Sequence, residues 1–174
     1  MKIDRGNGTF GDLHIFFYLL DFVVTVRIRL DRVEVYCSLL TEENRKRVIA
    51  AALETLGCLR EFVGGQYRAY AVALNIHGLL ENQGAKAFLG RLITPPPAAV
   101  GSVAANAVAY YLSPAGERTS SSLTLDISAV TTDGLYVRPQ ATWDAVRLPL
   151  EDLPRKAEEF VKEALGSFGI EIPE

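Results

Sequence analysis

Two cysteines, two histidines and a single tryptophan are all that 174 residues hold of the side chains most often recruited for metals, redox chemistry and aromatic anchoring. Cys37 and Cys58 reach four zinc ligands only if both His14 and His77 join them, and their spacing resembles no zinc motif. The expectation is a metal-free protein with buried, reduced thiols, as suits a cytoplasmic chain. An excess of positive charge is missing too. Eighteen Lys and Arg stand against 21 Asp and Glu, a net charge of -3, which offers no field for gathering nucleic acid. The local run Arg45-Lys46-Arg47 has Glu42 and Glu43 beside it and reads as a solvated helix end. Long apolar runs are likewise absent. The stretch Leu13–Val24 is interrupted by His14 and Asp21 and is too short to cross a bilayer, and Met1–Gly6 lacks the pattern of a signal peptide.

Catalytic and cofactor motifs are equally scarce. Gly6-Asn7-Gly8-Thr9-Phe10-Gly11 spells G-x-G-x-x-G. The dinucleotide fingerprint needs a strand before its glycines and a helix after them, and here a strand-like segment follows. These glycines read as a terminal loop, within a polar arm over residues 1–12. No G-x-S-x-G elbow, P-loop, H-E-x-x-H or EF-hand loop occurs, so no cofactor is expected. Asp126, Asp133 and Asp144 read as solvated or turn positions rather than as paired catalytic carboxylates.

What is present is alternation. Leu123, Leu125 and Ile127, then Leu135, Val137, Ala141 and Trp143, follow the period-two pattern of strands with one buried face. Thr131-Thr132-Asp133-Gly134 lies between them, with Asp-Gly expected to supply the positive φ of a tight hairpin. Ala104–Leu112 adds a third strand to this meander. Val24, Val26, Ile28 and Leu30 alternate as well, and the phase flips near Asp31-Arg32, which favours two strands over one bulged strand. A further strand is predicted over Tyr67–His77. Pro139 suggests an edge or a bulge in the last strand.

Three helices are predicted. Thr41 caps the first, whose stripe is Ile49, Leu53, Leu56, Leu59 and Val63. The second covers Glu81–Ile93. The third starts close to Pro154 and buries Leu153, Ala157, Phe160, Val161, Ala164 and Leu165, with a short strand expected in Phe168–Ile172. The fold class is therefore α+β: a predominantly antiparallel sheet, built of hairpins and a three-strand meander, with about three helices mainly on one face. Residues 1–174 read as a single compact domain, or as two tightly joined halves meeting near 94–100, where Pro95-Pro96-Pro97 stiffens the chain.

One face resists a bland account. Ala69, Ala71 and Ala73 leave the odd side of their strand shallow, and Asn75 and His77 bring polar groups to its end. Tyr136 and Arg138 share a face opposite Leu135 and Val137, and both types are enriched at protein contacts. The leading expectation is a non-enzymatic cytoplasmic binding or assembly domain that self-associates, with Ala69, Ala71, Ala73, Tyr136 and Arg138 at the contact. The alternative is a small enzyme or small-molecule binder whose pocket is lined by Tyr67, Asn75 and His77. Nucleic acid and membrane are not expected partners.

Overall fold

The computed structural model describes residues 2–4, 14–20, 23–29, 32–38, 40–63, 65–92 and 107–171. Its architecture is α+β, with two antiparallel sheets and three helices among these residues. The chain divides into two compact units, Met1–Gln66 and Tyr67–Glu174. The glycine motif at 6–11 and the junction expected at 94–100 lie outside the described residues.

The first unit holds a four-stranded sheet in sequential order: β1 (Lys2–Asp4), β2 (His14–Leu19), β3 (Val24–Ile28) and β4 (Val33–Cys37). The amino-terminal arm is thus not all loop, because Lys2–Asp4 pair with His14–Phe16. The phase flip near Asp31 is a hairpin: β3 and β4 pair antiparallel, and Arg29 N–H donates to the Arg32 carbonyl at 2.8 Å. Helix α1 (Glu42–Val63) follows. Thr41 Oγ1 accepts from Asn44 N–H at 3.3 Å while Asn44 Oδ1 accepts from Thr41 N–H at 2.8 Å, a reciprocal cap that satisfies two backbone donors. Val24 and Val26 are buried with Val48 of α1, and Phe17, Val35 and Leu59 pack around them. Among the described side chains of α1 Val48 is the buried one, while Ile49, Leu53, Leu56 and Leu59 of the expected stripe are half-buried.

The second unit contains β5 (Ala69–Ala73), β6 (Ile76–Gly78), α2 (Ala85–Leu92), β7 (Val108–Leu112), β8 (Arg118–Ile127), β9 (Leu135–Asp144) and α3 (Leu153–Gly166), the last entered through a 3-10 turn at Leu150–Asp152. Its sheet runs β5-β9-β8-β7, with β6 also paired to β9. Each unit leads an antiparallel meander into a helix, of four strands in the first unit and of β7, β8 and β9 in the second. The strand expected over Tyr67–His77 is broken in two, and Pro139 is the reason. Ala73 pairs with Gln140 and Ile76 with Val137, so the register is unbroken across the gap. Leu74 N–H donates to the Pro139 carbonyl at 3.1 Å, but proline has no N–H to return. Pro139 is fully buried in a central strand, not at an edge. On the β8 side it faces Leu123, a position where an antiparallel ladder needs no donor from it.

α2 lies against β8 and α3 against β9. Leu123, Leu125, Leu135, Val137 and Trp143 are buried together with Phe88, Leu89 and Phe160. The six residues expected on the inner side of α3 are its six buried ones. After α3 the chain turns at Gly169 (φ 67°) instead of forming a strand, with Ile170 N–H donating to the Leu165 carbonyl at 3.1 Å.

Candidate functional site

Because side chains alternate along a strand, burying one face of β5, β8 and β9 presents the other. Ala69, Ala71 and Ala73 stand exposed beside Asp144, Thr142 and Gln140 of β9. Arg138 continues the row and is exposed; Tyr136 is half-buried. On the far side of β9, Ser120, Ser122, Thr124 and Asp126 complete the layer. Neither α2 nor α3 covers the alanines, which are exposed. The face is rich in small side chains and carries Asp144, Arg138 and Asp126 as its charges. A shallow depression of ≈ 200 Å³ lies over it, lined in part by Tyr111, Ser122, Gln140 and Thr142, and Tyr111 is 87% exposed.

At one end of this face β6 and β9 bring three of the expected residues together. His77 pairs across strands with Tyr136, their rings 4.9 Å apart and tilted by 36°. The Tyr136 hydroxyl donates to Asn75 Oδ1 at 2.7 Å. His77 Nδ1 lies 2.9 Å from Ser128 Oγ. Ser128 Oγ also accepts from Val130 N–H at 3.2 Å and Thr131 N–H at 2.9 Å. With two donors already at that oxygen, its own hydrogen is the one left for Nδ1, an arrangement that matches the Nε2–H tautomer of the ring.

The pair looks like a nucleophile and its base, but its chemistry differs. Ser128 is 8% exposed and its oxygen holds the β8–β9 loop, so it lacks both access and a spare lone pair for attack. His77 and Ser128 organise a loop. Tyr67 stands apart from them. It precedes β5 next to Tyr70, with ring centroids 5.9 Å apart, at the Asp144 end of β9. Eight residues of strand separate that end from Tyr136, about 26 Å at 3.3 Å per residue. Tyr67 therefore does not share a pocket with Asn75 and His77.

Ser128 is the residue that sequence reasoning missed. Its signal was local: a serine two and three residues ahead of backbone donors in a loop is a known turn former. The three aspartates hold turns or remain solvated. Asp126 Oδ1 accepts from Ile127 N–H at 2.7 Å, and Asp144 accepts from Val146 N–H at 2.9 Å while pairing with Arg147 at 3.6 Å. Among the described residues no group of three or more His, Cys, Asp or Glu is placed to hold a metal ion. Cys37 and Cys58 are unbonded and exposed, not buried. Cys37 ends the edge strand β4, and Cys58 sits on α1 one position from half-buried Leu59. Partial burial still pushes the Cys37 thiol up.

In the first unit the charges converge on one carboxylate. Arg27, Arg29 and Arg32 lie 3.6, 3.3 and 2.9 Å from Glu34. Burial would raise the Glu34 carboxyl, but the Tyr36 hydroxyl and the Arg32 and Arg29 guanidiniums overcome that and hold it below its ordinary value.

No protein-family model, curated protein or solved structure was found to match this chain.

Proposed function

We propose that this protein is a non-enzymatic binding or assembly module that self-associates through the open sheet face of its second unit. The observation that carries the reading is the exposed row Ala69, Ala71 and Ala73 beside Thr142 and Gln140. Methyl-sized side chains let a second backbone layer approach closely. A second copy of the chain is the fitting occupant because the face carries both signs of charge. Arg138 is exposed and has no ion pair among the described residues, and Asp126 lies one strand away. A two-fold axis would give each Arg138 the partner's Asp126, the self-complementary arrangement that symmetric dimers require.

A cytoplasmic setting belongs to the same reading, supported by two unbonded thiols. No helix among the described residues is long and apolar enough to cross a membrane. The alternative, a small-molecule site, retains Asn75 and His77 and gains Tyr136, without Tyr67. Light scattering over a micromolar concentration series tests the main reading. The expected mass is that of two chains, and Ala71→Arg should reduce it to one chain with unchanged circular dichroism. A single-chain mass for the unmodified protein throughout the series would overturn it.

A further inference from the structure

We infer that the outer edge of β5 takes an added strand from an extended segment of another protein. β5 ends the order β5-β9-β8-β7, and two backbone bonds fix which of its groups point outward. Leu74 N–H donates to the Pro139 carbonyl and Ala145 N–H to the Arg68 carbonyl, each at 3.1 Å. Bonded and non-bonded pairs alternate along an antiparallel ladder. Arg68, Tyr70, Val72 and Leu74 therefore turn their N–H and C=O groups toward β9, while Ala69, Ala71 and Ala73 turn theirs away from it. Among the described residues none bonds those outward groups.

The chemistry of the edge selects its occupant. It is a row of alternating partial charges, N–H positive and C=O negative, that repeats every two residues, about 6.7 Å. An extended backbone carries the complementary row at the same repeat. A helix uses these groups internally and has none to offer. Sheet edges that avoid such pairing carry charge, proline or a bulge. Ala69-Tyr70-Ala71-Val72-Ala73 has neither charge nor proline, and its pairing with β9 has no register shift.

The side chains on either side of the edge set the sequence it would accept. The three alanines are exposed, so small groups border the added strand on one side. On the other side Val72 and Leu74 are only half-buried, which leaves apolar area at the edge. A segment that alternates small polar residues beside the alanines with apolar residues beside Val72 and Leu74 matches both, as in strand addition generally. The choice of another protein over a second copy rests on the self-association proposed for the open face. Stacking on that face uses side chains normal to the sheet, whereas the edge groups lie in its plane and stay open.

Hydrogen exchange of the full chain, read by NMR, tests this with a synthetic peptide of alternating threonine and valine, ended by lysines for solubility. In the protein alone the Ala69, Ala71 and Ala73 amides should exchange faster than those of Tyr70, Val72 and Leu74. Saturating peptide should slow the three alanine amides about tenfold or more, and a peptide N-methylated at its threonines should not. Ala71→Pro should weaken binding by about tenfold or more with the fold kept, because the N–H it removes points away from β9. No slowing of the alanine amides by peptide up to roughly 10⁻³ M would overturn the inference. So would slowing in the peptide-free protein that grows with protein concentration, which would give the edge to a second copy of β5.

Discussion

Gly134 stands so close to Thr131 that a Cβ on the glycine would meet the threonine Cβ at 2.6 Å and its carbonyl oxygen at 2.9 Å. The Gly134 N–H donates to that same carbonyl, closing the turn at 2.9 Å. The positive φ expected of the glycine belongs instead to Asp133, at 55°. The pair Asp133-Gly134 thus divides two demands, a left-handed backbone and a close approach, between its members. The loop from Ser128 to Gly134 is also longer than a two-residue hairpin.

This division predicts opposite responses at adjacent positions. Gly134→Ala should cost about 1–3 kcal/mol through overpacking against Thr131, and Gly134→Val more. Asp133→Gly should leave the urea midpoint nearly unchanged, since glycine accepts the left-handed region freely. Equal destabilisation by Gly134→Ala and Asp133→Gly would contradict the assignment.

Ser128 should matter to stability more than His77 does. Ser128→Ala leaves the Val130 and Thr131 N–H groups without their acceptor, at a cost of about 1–3 kcal/mol. His77 is exposed, and His77→Ala should cost about 1 kcal/mol or less. Nitrogen chemical shifts of the neutral ring should show the proton on Nε2. A proton on Nδ1 would mean that Ser128 does not donate to the imidazole.

Arg118 is a side chain whose burial, not its ion pair, should set its worth. It is 9% exposed, its guanidinium lies 4.9 Å from the Phe160 ring centroid, and it reaches Glu163 at 3.2 Å. Glu163 is 70% exposed, so Glu163→Gln should cost under about 1 kcal/mol. Arg118→Ala removes the stack and the buried stem as well, and should cost about 2 kcal/mol or more by chemical denaturation. Equal losses from both variants would instead give the ion pair the main role.

Acid should weaken the first unit through Glu34. Its folded carboxyl lies below the ordinary 4.5, so its contribution is fully present above that pH. The contribution is lost as pH falls through the lower folded value. The stability difference between the unmodified protein and Glu34→Gln should therefore be largest above pH 4.5 and shrink on acidification. A difference that stays constant through that range would show that Glu34 gains nothing from its arginines.

Local pattern sufficed where one periodicity meets one buried face. The inner side of α3 could be read residue by residue, because six apolar side chains at helical spacing have only one face to share. The antiparallel strands and the hairpin at Asp31 were legible from alternation and its change of phase. The exposed alanines and the shared face of Tyr136 and Arg138 followed from the same period of two.

Register and long-range pairing were decided by the tertiary structure. The break between β5 and β6 is caused by Pro139, which meets Leu74 only once the strands pair. Tyr136 reaches Asn75 across 61 residues and Ser128 reaches His77 across 51, while Tyr67, nearer to both Asn75 and His77 in sequence, is carried to the far end of the strand. Alternation tells which way a side chain faces but not what lies beside it, because neighbours across a sheet are set by the register of separate strands. The sequence by itself determined the elements and their buried sides; pairing between distant strands decided which polar groups meet.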